Sequence, residues 1–264
     1  MLYFAQTLIP MSEQELEKMR NTANLLESRF NFAAAKETWL AICRQIPTDT
    51  EALSALQRIN SFQKLESECL AIISRLLAVG IALAETKDLV DLMSLILATS
   101  REITCSDAGS IYVIDRFDPQ NTVVRFLVAQ NDSQPERTLG DFAVPLNHES
   151  LVGHVALTKE SLNIPDAQSI PDSAPYRHHR SFDQDIEYVT RSVVAVPMQN
   201  SQGEVIGVMQ LINRKIDSAV RITIDNASAV TQPFSEWEVG VVRSLANQAA
   251  LVIERNQLLN QLTP

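Results

Sequence analysis

The run Ser192-Val193-Val194-Ala195-Val196-Pro197-Met198-Gln199, the turn Ser201-Gln202-Gly203, and the run Val205-Ile206-Gly207-Val208-Met209-Gln210-Leu211-Ile212 decide how this chain is read. Two apolar stretches flank a short polar turn containing glycine, the pattern of paired strands. Toward the N-terminus come a short helix at about Glu149 to Thr158 and a brief strand near Ser161 to Ile164. Asp166 to Asp185, rich in Pro, Ser, Asp and His, then reads as a long loop or cap, and long ordered loops usually carry function. Further back, a helix from about Asp88 to Thr104 precedes a second hairpin, Ser110 to Asp115 and Val123 to Gln130, turned by Asp118-Pro119-Gln120-Asn121. Beyond the first hairpin, Ser235-Glu236-Trp237-Glu238 fits a capping box opening a last helix. Strands flanked by helices at both ends predict an α+β domain with a mainly antiparallel sheet.

The first part of the chain reads as helices. Ser12-Glu13-Gln14-Glu15 and Thr48-Asp49-Thr50-Glu51 both fit capping boxes, and between them lie helical segments at roughly 13–29 and 33–45, ended by Pro47. Ala23, Ala35, Trp39 and Pro47 loosely resemble one tetratricopeptide repeat, which cannot bury its own face. The alternative is a helical hairpin packed on a dimer partner or on the domain that follows. Next, Phe62, Leu65, Cys69, Ile72, Leu76, Val79 and Leu83 form a heptad seam, and Val242, Leu245, Ala249, Val252, Asn256 and Leu259 form another at the far end. Either stripe could lie on a sheet, but regular seams at both ends favour pairing between chains. The organisation expected is therefore a helical segment over 1–60, a connecting helix with a heptad seam over 61–86, and the α+β domain with a C-terminal signalling helix over 87–264.

Composition narrows the classes. The chain has 264 residues, is 45% hydrophobic and carries a net charge of −10. That balance supports a packed core and repels phosphate backbones and anionic membranes, so neither nucleic acid nor membrane is an expected partner. Cys43, Cys69 and Cys105 are scattered without a CxxC pair, and the apolar start MLYFAQTLIPM lacks a basic region and cleavage site. The apolar stretch Leu70 to Ala84 is interrupted by Ser74 and Arg75 and is too short to span a bilayer. A cytoplasmic location is expected. His178-His179 sit adjacent in the cap loop, a weak metal signal, and no metal is expected. His154 falls within the short helix and is expected to pack or bond locally. The sequence contains no GxxxxGK[ST], HExxH or GxSxG motif and no carboxylate pair set apart from surface charge, so no catalytic residue is assigned.

The ordered motifs carry a family resemblance. Leu151-Val152-Gly153-His154-Val155-Ala156-Leu157-Thr158, Leu162-Asn163-Ile164-Pro165-Asp166, Tyr188-Val189-Thr190-Arg191-Ser192, Val196-Pro197-Met198 and Gly203 through Asn213 resemble the signature of GAF domains. Over roughly residues 70–262 the chain resembles the GAF domains of cyclic-nucleotide phosphodiesterases, cyanobacterial adenylate cyclases and bacterial HD-type phosphodiesterases. The resemblance implies a GAF fold, an antiparallel sheet flanked by helices, here preceded by the N-terminal helical hairpin.

The resemblance also implies a ligand under a cap, between the sheet and a short helix whose N-terminus faces a phosphate, where free N–H groups and the helix dipole favour an anion. Carried over by position, the pocket is lined by Ser110, Val152, Thr190 and Gln210, with Asn131 and Asp132 near its base. Ile186 replaces a second threonine, losing a hydrogen bond, and Gln210 replaces the usual acid, a weaker acceptor than a carboxylate. Many relatives carry Asn-Lys, then Phe, then Asp-Glu, with a salt bridge between the Lys and the Asp. Here the positions read Asn213-Arg214, Phe234 and Glu238-Val239, so Arg214 and Glu238 either keep the bridge or Glu238 serves only the helix cap.

What this implies is a dimeric, non-catalytic sensor or adaptor. It binds a small ligand, with a cyclic nucleotide as the ligand class, and signals through paired terminal helices. With no output domain after the last helix, the expected output is an unidentified protein partner. The alternative is an interaction protein whose pocket is vestigial, with the helical front end as docking surface. An enzyme of the methionine-sulfoxide-reducing kind would need cysteines close to the pocket, and covalent bilin attachment would need one too. Cys43 and Cys69 lie outside the domain's core, and Cys105 precedes its first strand.

Overall fold

The computed structural model describes residues 11–85, 88–115, 122–135, 143–178, 183 and 187–262, with backbone alone at 83–85 and 259–262. The expected turn at 118–121 and the side chains of Leu83 and Leu259 lie outside the described residues. Two compact units divide between Ser74 and Arg75. That division falls inside one helix, α3 (Thr50–Glu85), so the connecting helix expected at 61–86 is not a separate element.

The first unit holds α1 (Glu13–Ser28), α2 (Phe32–Gln45) and the start of α3. Ser12 and Glu15 form the expected capping box, with Ser12 N donating to the Glu15 carboxylate at 2.9 Å. At α3 the cap is Asp49 rather than Thr48: Asp49 Oδ1 accepts from Ala52 N at 2.8 Å, and Arg20 holds the other oxygen at 2.5 Å. A carboxylate satisfies that orphan N–H as well as a hydroxyl does and adds a charge partner. Phe30, with φ of 58°, turns the chain between α1 and α2. Ala23, Ala35, Trp39 and Ile42 pack with Ala52, Ala55 and Ile59 of α3. The hairpin thus buries its face against the helix that follows it. Small alanines at the crossings let the helices approach, and Trp39 Nε1 donates to Glu27 at 2.7 Å.

The second unit is built on a sheet ordered β3-β2-β1-β6-β5-β4, with β7 beside β6. Its strands are β1 (Ser106–Asp115), β2 (Val123–Asn131), β3 (Ala143–Pro145), β4 (Leu162–Ile164), β5 (Val193–Gln199), β6 (Val205–Lys215) and β7 (Thr231–Gln232). All neighbouring pairs are antiparallel. Among the described residues the unit also holds the end of α3 from Arg75, α4 (Leu89–Thr104), α5 (Leu151–Thr158), the single turn α6 (Ala227–Val230) and α7 (Glu236–Leu262). Successive strand residues point to opposite faces, and here both faces are covered. Ile111, Val194, Val196, Met209 and Leu211 meet α4 and α7, while Tyr112, Val124, Ala195 and Val208 meet α5. Each fully buried Leu, Ile or Met in the larger cluster contributes about 1.5–3 kcal/mol of transfer free energy.

This packing corrects the C-terminal heptad seam. Val242, Leu245 and Ala249 are fully buried in the domain's own core with Leu97 and Met209, and Val79 of α3 joins them. A stripe already covered by the sheet and α4 is not available to another chain over those residues. The exposed apolar residues of α3 include Leu65, Leu70, Ile73, Leu77 and Ile81, with Leu251 and Leu258 exposed on α7. Among the described helices none is long and apolar enough to cross a membrane.

Candidate ligand-binding site

The α5-facing side of the sheet changes from apolar to polar along β1 and β6. Ser110 and Tyr112 lie two residues apart and share that face, and Ser110 is in register with Gln210 of β6. Tyr112 Oη donates to Gln210 Oε1 at 3.1 Å, and all three side chains are buried. Val152 of α5 packs in the same cluster as Tyr112. Burial pushes the Tyr112 phenol far above its ordinary range, opposed by a hydrogen bond with Ser110, so it stays a neutral donor.

α5 enters this site under tight constraint. Ser150 Oγ caps it by accepting from Gly153 N at 2.9 Å. A Cβ at Gly153 would stand 2.2 Å from Asn147 O, which is why the signature has glycine there. His154 packs edge-on against Tyr176, with centroids 4.9 Å apart, and its Nδ1 lies 3.4 Å from His148 Nδ1. Burial, and secondarily His148, holds the His154 pKa below its ordinary value. Its expected local role is the one observed.

Thr190 stands in the segment leading into β5. Its N–H donates to Asp183 Oδ2 and its hydroxyl to Asp183 Oδ1, both at 2.8 Å. His178 Nε2 lies 2.8 Å from the same Oδ2, and Asp183 is only 5% exposed. A carboxylate from the cap segment therefore occupies the hydrogen-bonding groups that Thr190 would offer a ligand. Nearby, the fully buried Asp107 of β1 accepts from Tyr188 Oη at 2.7 Å and Ser133 Oγ at 2.8 Å, and pairs with Lys215 at 3.2 Å. Burial and the Asp107 charge push the Tyr188 phenol well up.

The sequence-derived positions are thus divided. Ser110, Val152 and Gln210 share one buried face, and Thr190 is buried and engaged by Asp183. Asn131, in register with Ala108 of β1, ends the face that carries Ser110, whereas Asp132 is turned away from it. Asn131 Oδ1 closes a turn by accepting from Gln134 N at 2.9 Å, and Asp132 pairs with Arg101 of α4 and with Lys215. They end β2 where the chain turns, and the cations of α4 and β6 draw the carboxylate to the other side of the sheet. Ile186 and His179 lie outside the described residues. Asp183, Asp107 and Tyr112 were missed by sequence reasoning. Tyr112 was the accessible one, since it alternates with Ser110 along β1.

The Asn213-Arg214, Phe234, Glu238 set is assembled. Asn213, with φ of 57°, accepts from Arg191 N at 2.6 Å and donates to Val189 O at 2.7 Å, tying β6 to the Thr190 segment. Arg214 pairs with Glu238, which also caps α7 through Ser235, so bridge and cap coexist. Phe234 and Val239 are buried in the main core. An acid in place of Val239 would be a buried charge among apolar residues.

A sequence model of the GAF domain matches residues 88–253. Dual 3',5'-cyclic-AMP and -GMP phosphodiesterase 11A of Takifugu rubripes is 31% identical over 116 residues, covering 41% of this chain. The chain spans only 12% of that relative's length. Among solved structures, the GAF domain of a phosphoenolpyruvate-protein phosphotransferase from Coxiella burnetii aligns with a TM-score of 0.54 at 19% identity, covering 72% of this chain and 96% of that one. A methyl-accepting chemotaxis protein aligns with a TM-score of 0.52 at 18% identity, covering 69% of this chain and 98% of that one. At these identities the structural matches show a shared fold.

Proposed function

The chain belongs to the GAF domain family, and on that premise we propose that it is a non-catalytic sensor or adaptor of the cytoplasm that binds a small ligand beside Ser110, Gln210 and Thr190. The observation that carries this is the buried polar set on the α5-facing side of the sheet. Ser110, Tyr112 and Gln210 are polar where a purely structural core would be apolar, and Thr190 is buried in the segment leading into β5. The relative that is a dual cyclic-AMP and cyclic-GMP phosphodiesterase supports a cyclic nucleotide as the ligand class. Binding would take Thr190 from Asp183, releasing the cap segment that His178 and Asp183 anchor. That change reaches α7 through Asn213, Arg214 and Glu238. The output is a protein partner or a second copy of the chain, met through the exposed apolar residues of α3, chiefly Leu70, Ile73 and Leu77.

The test is a thermal-shift series with cyclic AMP, cyclic GMP and cyclic dinucleotides. A ligand that binds only the folded state adds about 2.7 kcal/mol at a hundredfold excess over its dissociation constant. A saturable shift with one nucleotide, lost in Thr190→Val, supports the sensor. No shift with any of them, from folded protein, favours a second reading, an interaction scaffold with a vestigial pocket. That reading has its own observation, since Asp183 and Tyr112 already satisfy Thr190 and Gln210 from within the chain. Light scattering on wild type and Leu77→Glu tests the second copy: a wild-type mass at the monomer value removes it.

A further inference from the structure

On the α4 side of the sheet lies a cavity of about 310 Å³ that the proposed function does not use. It has room for several waters or a small polyatomic ion. Its inner wall carries Arg101 and Lys215, only 8% and 3% exposed, and its rim carries Arg75, Glu102, Asp132 and Ser218. Cys105 also lines it, with the thiol pushed up by burial.

The wiring of these charges points to an anion. Lys215 Nζ pairs with Asp107 at 3.2 Å and Asp132 at 3.5 Å. Arg101 donates to Gln130 at 3.0 Å and to Asp107 O at 2.9 Å, and also pairs with Asp132. A guanidinium and an ammonium thus meet at one cavity and share the Asp132 carboxylate, an arrangement that suits carboxylate or phosphate oxygens. Asp107 takes Tyr188 and Ser133 besides Lys215, so its charge is satisfied away from the cavity. Asp132, with a side chain 55% exposed, is the counter-ion that an incoming oxyanion can replace between the two buried cations.

We infer that this cavity is a second site, one that binds a small oxyanion between Arg101 and Lys215 in exchange for Asp132. It is separate from the Ser110–Gln210 site and stands or falls without it.

Cys105 supplies the test on the full chain. Its alkylation by iodoacetamide is followed by peptide mass spectrometry at constant ionic strength, with exposed Cys69 as internal reference. Inorganic phosphate is the first probe and succinate the second, which separates a phosphate from a carboxylate site. Saturable slowing at Cys105 alone is expected, about tenfold at ten times the midpoint concentration. Asp132→Asn lowers the midpoint by removing the competing carboxylate, Ser218→Glu raises it, and Thr190→Val leaves it unchanged. No slowing with either probe, equal slowing at Cys69, or a midpoint indifferent to both Asp132→Asn and Ser218→Glu overturns the inference.

Discussion

Arg214 donates to one carboxylate oxygen of Glu238, Oε1, while the other, Oε2, accepts from Ser235 N at 2.7 Å and Ser235 Oγ at 2.6 Å. One side chain therefore fastens β6 to α7 and closes the first turn of α7. Glu238→Ala removes both functions. A lost cap costs about 1 kcal/mol and a lost charged hydrogen bond about 1.5–3 kcal/mol. Urea unfolding should show a loss of about 2–4 kcal/mol, with Ser235→Ala losing only about 1 kcal/mol. Equal losses in the two variants would mean that the Arg214 bond contributes nothing.

Thr190→Val takes one donor from a buried carboxylate, Asp183, and leaves it the Thr190 N–H and His178 Nε2 among the described residues. The expected destabilisation is about 1–3 kcal/mol, and Thr190→Ser, which keeps the hydroxyl, should recover most of it. Chemical denaturation of the three proteins measures this. A valine variant as stable as wild type would show that Asp183 does not depend on the Thr190 hydroxyl.

Much of this architecture could be read before the structure. The helix at Asp88, the hairpins and the Ser235 box follow from local rules, capping and apolar patterning, which act within a few residues. What resisted reading depends on distant partners. Asp183 matters because the fold brings it to Thr190, and no local pattern marks it among the other residues of a polar loop. The C-terminal seam failed for the same reason. Val242, Leu245 and Ala249 have the spacing of a coiled coil, but a sheet and a neighbouring helix accept that stripe equally well. β3 and β7, with three residues and two, are too short to show a period.

Gly207 lies in β6 directly against β1. A Cβ there would stand 2.2 Å from Tyr112 O and 2.8 Å from Met198 Cε. The methionine can move, but the backbone carbonyl cannot without breaking the central strand pair. Gly207→Ala should therefore cost more than about 3 kcal/mol, beyond the usual range for a point substitution. Gly203→Ala, in an open turn with φ of 75°, should cost less, since it meets only backbone strain. Thermal midpoints of the two variants check the order, and similar midpoints would mean that the sheet yields at Gly207.

Asp49 joins helix cap and ion pair in the first unit, accepting from Ala52 N and from Arg20. The Ala52 N–H chiefly, and Arg20 after it, holds the Asp49 carboxyl below the ordinary carboxylate range. A carboxyl whose folded pKa is depressed contributes stability above its unfolded value, near about 4, and loses it as pH falls through the folded value. Wild type should accordingly be more stable than Asp49→Asn at neutral pH, with the gap closing below about pH 4. Asparagine still caps the helix, so the variant isolates the charge. Trp39, fully buried in this unit, reports its unfolding by fluorescence once the exposed Trp237 is replaced by phenylalanine. A gap that persists unchanged to about pH 2 would show that the Asp49 charge is not what stabilises the start of α3.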